Sequence, residues 1–232
     1  MRYRLPILTA VMALSAACYG SSNRHSVELP RPVFKGMTVE DALSARRSQR
    51  AYTDDSLSIQ ELAQILYAAQ GVTGKQGDIE LRAAPSAGAT YPLEIYVFVN
   101  RVKSLDPGIY RYLPSQHRAE VIRKGEVGES LSQACLGQDM PRTAACSVVI
   151  TAVPSRTTER YGDRGMNYIY MEAGHVSQNI YLQCTSLGLG VVAIGAFHEH
   201  DLNGLIGIDG KAELSIYVNS IGRRPQERGE QQ

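Results

Sequence analysis

Apolar and polar residues along this chain switch between a helical and a strand rhythm, and the switches mark out the elements. In "MTVEDALSARRS", residues 37–48, Val39, Ala42, Leu43 and Arg46 share one face, Thr38 stands where a cap belongs, and Glu40 and Asp41 favour the positive end. This spacing predicts a helix with Arg46 and Arg47 in its last turn. A second helix opens at Ser58, where Ser58 and Glu61 fit a capping box; Leu62, Ile65, Leu66 and Ala69 make its apolar stripe and Gly71 can end it. A loop with Gly74 and Gly77 leads to "RAAPSAGATYP". The run "LEIYVFV" alternates only in part and suits an inner strand, while "GIYRYLP" and "AEVIR" read as a hairpin across the exposed turn "SQH". "ESLSQACLGQD" has helical spacing, and "CSVVITAV" is a continuous apolar strand. Residues 167–187 form the longest helical candidate, apolar on most sides and stopped by Gly188, which predicts a central buried helix. Strand-like "GVVAIGAF", a short helix near "HDLNGLIG" and strand-like "ELSIYVNSIG" close the chain. The mixture predicts an α+β fold without repeats or low-complexity tracts.

The first residues follow another logic. Arg2 and Arg4 precede an apolar run from Leu5 to Leu14, and Ser15, Ala16 and Ala17 lead into Cys18. The pattern is that of a secretory signal over residues 1–17, too short to span a membrane. "LSAAC" resembles a bacterial lipoprotein signal with Cys18 as the lipidated residue, although Ser15 stands where a leucine is usual; ordinary cleavage after Ala17 is the alternative. The expectation is an exported protein, membrane-anchored or periplasmic, whose membrane contact is limited to that lipid. Arg2-Tyr3-Arg4 is not a twin-arginine pair. Residues 18–35 read as a flexible tether, 36–226 as one domain and 227–232 as a tail.

Composition narrows the classes. With 232 residues, 44% of them hydrophobic and 20% charged, the chain can bury a full core. A formal charge of +1 lacks the basic surplus of a nucleic-acid binder. Cys135, Cys146 and Cys184 are too widely spaced for a zinc motif and read as buried free thiols, with one bridge in an oxidising compartment as the alternative.

Against that near-neutral balance, "ARRSQRAY" clusters Arg46, Arg47 and Arg50 around Ser48. Cations at a helix C-terminus are stabilised by the dipole, which is one account of the cluster. The other is an anion site, in which guanidinium forks grip a phosphate and Ser48 adds a hydroxyl. "PSAGATYP" is either a plain loop or a stretch of small residues that lets backbone approach a flat ligand, with Ser86 and main-chain N–H groups as donors. "GLGVVAIG" has its glycines entering a strand, the reverse of the order a dinucleotide-binding helix needs. Gly195 and Ala196 at the strand end leave room for a ring system. His198 and His200 read as solvated loop residues rather than metal ligands, and His175 as a hydrogen-bonded core residue. No nucleophile elbow or Walker loop is present.

In order, "RRSQRAY", "APSAGATYPLEIYVF", "PGIYRY", "ACLGQ", "RYGDRG", "EAGHVSQNIYLQCTSLGLGVVAIGAF" and "SIGRRP" resemble the FMN-dependent nitroreductase superfamily, and within it the SagB-type dehydrogenase branch. The resemblance covers about residues 38–225. It implies a central, mostly antiparallel sheet flanked by helices, and a homodimer with FMN at its interface. It implies that Arg46, Arg47, Ser48 and Arg50 hold the FMN phosphate and part of the ribityl and ring edge. Pro85, Ser86, Ala87 and Gly88 match the loop along the cofactor. Ile194, Gly195 and Ala196 match the segment facing the isoalloxazine, and Arg223, with Arg224 beside it, the C-terminal phosphate contact. Ala89 and Tyr91 replace the asparagine and glutamine of many nitroreductases, Gly195 replaces an acidic residue, and Tyr91 is a candidate lid residue. The implied activity is hydride transfer between a reduced nicotinamide, NAD(P)H, or an organic donor and a nitroaromatic or quinone-like acceptor. Oxidation of azoline rings in a modified peptide is the SagB-type alternative, and a non-catalytic exported flavin-binding or interaction lipoprotein the third. The motifs fix no catalytic acid or base.

Overall fold

The computed structural model of the protein describes residues 25–225, so the expected signal segment, Cys18 and the tail 227–232 lie outside the described residues. In chain order the elements are β1 (Ser26–Glu28), α1 (Val39–Ala45), α2 (Ile59–Gln70), β2 (Val72–Gln76), β3 (Ile79–Arg82), β4 (Leu93–Val99), β5 (Gly108–Leu113) and β6 (Arg118–Lys124). Then come α3 (Gly128–Ala134), α4 (Met140–Thr143), β7 (Cys146–Ala152), α5 (Ser155–Tyr161), α6 (Arg164–Ser186), β8 (Leu189–Ile194), α7 (Glu199–Ile206) and β9 (Leu214–Arg223). One sheet has the order β1-β6-β5-β4-β7-β9-β8 with antiparallel neighbours, and β2 and β3 form a separate hairpin. The fold is α+β, as the sequence predicts.

The partial alternation of β4 has a physical cause. Ile95, Val97 and Val99 pack into the core shared with α2 and α6, while Tyr96 and Phe98 pack into a second core with α3 and α7. A strand covered on both faces has no need of a polar side. β7 is buried along its whole length for the same reason and pairs with β4 from Leu93↔Ala152 to Val99↔Cys146. α2 starts where its capping box predicts: the Ser58 hydroxyl accepts from the Glu61 amide and the Glu61 carboxylate from the Ser58 amide. It ends at Gly71, where only glycine fits, because a Cβ there would lie 2.3 Å from Cδ2 of Tyr67.

Several expectations are corrected. The tether ends early, since β1 pairs with β6 through Val27↔Ala119, Leu29 is buried, and Gln64 hydrogen-bonds both the amide and the carbonyl of Val33. Backbone and side-chain partners thus hold residues 26–33 against the body. The loop around Gly74 and Gly77 is the β2–β3 hairpin, turning at Gly77, whose φ of 60° favours glycine. α1 stops at Ala45; Arg46 turns extended at ψ 124° and the chain leaves to pair with β8. Of the apolar face of α1 only Ala42 is buried, while Val39 and Leu43 are exposed. α6 is covered on its sheet side, but Tyr170, Met171 and Gly174 face outward together with His175, which is therefore no core residue. Cys135, Cys146 and Cys184 are buried and unpaired.

Candidate functional site

The arginine cluster is held in place by Tyr52. Its ring lies against Gly190 and Gly222, where a Cβ would meet it at 3.3 and 2.7 Å, and its hydroxyl sits 2.8 Å from the carbonyls of both Gln49 and Ser220. Burial pushes the Tyr52 phenol well above its ordinary range, so it stays a donor. Two neighbouring glycines thus make the hollow that fixes residues 46–52 on β8 and β9. Backbone pairing adds to this: Ser48 bridges to Val191, and the Gln49 amide donates to the Val191 carbonyl at 2.9 Å.

Held there, the arginines divide. Arg47 donates to the carbonyls of Ser44 and Arg46 at 2.9 and 2.8 Å, satisfying the end of α1. The Arg46 guanidinium lies 5.3 Å from the ring centroid of Tyr181 on α6. Arg50 is exposed and makes no hydrogen bond or ion pair among the described residues. Ser48 Oγ is 3.0 Å from the Tyr181 hydroxyl, which accepts from the Ala193 amide at 2.9 Å. The Ala193 amide leaves Tyr181 free to donate to Ser48 or to accept from it. Arg223 is elsewhere engaged: its fork grips both oxygens of Glu61 at 2.7 and 2.8 Å. Burial works to raise the Glu61 carboxyl, but its bonds to Ser58 and the Arg223 charge outweigh that and hold it low. Arg224 is exposed, lies over Gly190 beside Gln49, and donates to the Gly188 carbonyl at 3.2 Å.

The Pro85–Gly88 loop meets the other half of α6. Gly88, Ala89 and Tyr91 all have left-handed backbones, with φ of 59°, 54° and 43°. For Ala89 and Tyr91 this costs about 1 kcal/mol each. The strain is held by α5: Arg160 donates to the Gly88 carbonyl and Arg156 to the Tyr91 carbonyl, both at 3.2 Å, and Thr157 shares a hydrogen bond with Thr90. Ser86 accepts from the Tyr91 amide at 2.9 Å. Beneath the loop Glu172 is almost fully buried, and burial pushes its carboxyl up to about 7, against the pull of Ser86, Gln70 and Arg82. Glu172 and Tyr181 are nine residues apart, so the two groups lie about 14 Å apart along α6.

At the end of β8, Ile194 is buried and Gly195 and Ala196 are exposed. A Cβ on Gly195 would meet only the Tyr217 ring, at 3.6 Å, so this strand end is open. His198 and His200 are exposed at the start of α7. Tyr52, Tyr181, Arg156, Arg160 and Glu172 belong to the site without standing out in the sequence as site residues. Only Glu172 carried a signal, as a carboxylate within the apolar stripe of Ile169, Ala173 and Val176.

Open cationic side chains thus lie beside the C-terminal half of α6, a strained small-residue loop lies nearer its middle, and the end of β8 is uncrowded. The sequence matches the Nitroreductase family over residues 43–223, and the chain belongs to that family. It is accordingly an oxidoreductase. A provisionally named nitroreductase of Methanocaldococcus jannaschii is 42% identical over 199 residues, 86% of this chain and 98% of that protein. The crystal structure of a provisionally named nitroreductase from Anabaena variabilis superposes with a TM-score of 0.77 at 29% identity, over 92% of this chain; the chain spans 45% of that protein's length. The Escherichia coli microcin synthetase McbBCD complex, with truncated pro-MccB17 bound, shares the fold at TM-score 0.65 and 22% identity, over 94% of this chain and 85% of the matched one.

Proposed function

We propose that this oxidoreductase uses FMN and passes hydride between NAD(P)H or an organic donor and a nitroaromatic, quinone-like or related acceptor. The observation that carries the reading is the pair of open guanidiniums, Arg46 and Arg50, beside the exposed Ser48 hydroxyl. These residues fit a phosphate, and Arg224 adds a nearby charge. Arg47 and Arg223 take structural roles instead, capping α1 and pairing with Glu61. Because α1 ends at Ala45 with its carbonyl pole nearby, the arginines supply the attraction themselves. The uncrowded Gly195–Ala196 surface fits a flat ring, and Pro85, Ser86, Ala87 and Gly88 form a loop whose backbone is pre-set by α5. FMN, when bound, supplies hydride acceptance and donation. The chain's own part is to orient the ring, neutralise the phosphate and bar water from the covered face.

A homodimer goes with this reading. Exposed Phe34, Val39, Leu43, Tyr170 and Met171 offer apolar surface for a second copy. Export with Cys18 as lipid anchor completes the proposal; fatty-acid labelling that persists in Cys18→Ser would remove the anchor from it. Azoline oxidation in a modified peptide is the second reading, supported by the small residues Ala87–Ala89 and by the peptide-bound complex that shares the fold. Visible spectra of purified residues 24–232 with and without FMN test the cofactor, and bleaching by NADH, by NADPH or only by an azoline peptide separates the two readings. No FMN binding at micromolar concentration would leave an exported interaction protein.

A further inference from the structure

Away from the arginine end, a cleft of about 610 Å³ opens between the β2–β3 hairpin and the strand β5. Three arginines meet at its base. Glu94, 11% exposed, accepts from Arg111 at 2.9 Å through Oε2 and from Arg156 at 2.7 Å through Oε1. Arg82 joins them, stacked 4.7 Å from the Tyr91 ring centroid. Three guanidiniums thus gather about Glu94, while Glu172 also acts on Arg82 and Glu213 on Arg111. The Nε–H of Arg82 is buried without an acceptor among the described residues, and Nη1 donates to the Gln70 amide oxygen at 3.3 Å. Burial pulls the Arg82 guanidinium down from its ordinary range; Glu94 works against this and Arg156 adds to it. A buried cation left short of acceptors is costly, and an added oxyanion relieves it. The rim carries Lys75, 4.0 Å from Glu80, and Asp78; Glu80 also accepts from Ser115. Ile79, Leu113 and Pro114 give the rim apolar walls.

We propose that this cleft binds an organic anion, a carboxylate or phosphate carried on an apolar body, with its charged end on Arg82, Arg111 and Arg156. The volume is that of a small-molecule site, too large for a bare ion. Tyr91 is shared between the cleft and the Pro85–Gly88 loop, because Arg156 holds its carbonyl and Ser86 accepts from its amide. An occupant would thus touch the residue that ends the strained loop. The inference does not depend on a flavin at the Arg46 end.

The test uses the full chain carrying Arg46→Ala and Arg50→Ala, so that the other cationic site is disarmed. Benzoate, phenyl phosphate and neutral benzamide are titrated by calorimetry at fixed ionic strength. Benzoate or phenyl phosphate, whichever anion the site takes, should bind at least tenfold more tightly than benzamide. Arg156→Gln should weaken that binding at least tenfold, and Arg111→Gln serves if the first variant does not fold. Glu94→Gln removes the internal competitor and should tighten it severalfold. Equal binding of benzamide, anion binding indifferent to both arginine substitutions, or anion binding seen only when Arg46 and Arg50 are intact would overturn the proposal.

Discussion

At the C-terminal half of α6, Tyr181 meets Arg46 and Ser48 at the surface, whereas nine residues earlier Glu172 is buried among Gln70, Arg82 and the Ser86 loop. The first region has donors to spare, while the second has most of its backbone groups claimed and its strain held by α5. Spare donors at a rigid surface bind; claimed ones shape. The contrast also runs inside the arginine cluster, where Arg47 and Arg223 are claimed and Arg46 and Arg50 are open.

Substitutions can break this contrast, beginning with the anchor. Tyr52→Ala should lose about 3 kcal/mol of stability, since it empties the hollow over Gly190 and Gly222 and frees the arginine segment; urea unfolding measures it. At the buried end, Glu172 has its carboxyl raised by burial from 4.5 to about 7. Between those values the folded protein keeps a proton that the unfolded chain has released. Stability from this group is therefore full below pH 4.5 and is lost as pH rises through about 7, by up to about 3 kcal/mol. Glu172→Gln should flatten that slope in unfolding measured from pH 5 to 8. Arg223→Ala should cost about 2 kcal/mol of stability and leave FMN affinity unchanged, because it breaks the fork on Glu61. Arg47→Ala, losing only a helix-end interaction, should cost about 0.5 kcal/mol and likewise spare FMN.

Much of the fold was legible because local signals and burial agree. The Ser58 box, the run Cys146–Ala152 and the Gly188 stop each name their element from a few neighbouring residues. The β2–β3 hairpin was not legible, since "VTGKQGDIELR" is mostly exposed and carries little hydrophobic alternation. β1 was hidden too: three residues gain their structure only from β6, ninety or more positions away. At the site, sequence could gather Arg46, Arg47 and Arg50 but not separate them. Whether an arginine caps a carbonyl or faces solvent depends on where α1 ends, and that is set by pairing with Val191 on a distant strand. The engagement of Arg223 by Glu61 likewise joins residues 162 positions apart.

The central claim, that Arg46 and Arg50 are the open cations that hold the FMN phosphate, is tested most directly by FMN titration of the wild type against Arg46→Ala/Arg50→Ala, with Arg47→Ala and Arg223→Ala as controls. With each charged hydrogen bond worth ~1.5 to 3 kcal/mol, the double variant should bind about 100-fold or more weakly while both controls stay near wild type. A double variant that keeps wild-type affinity and loses only thermal stability would contradict the account and return the cluster to a helix-end role.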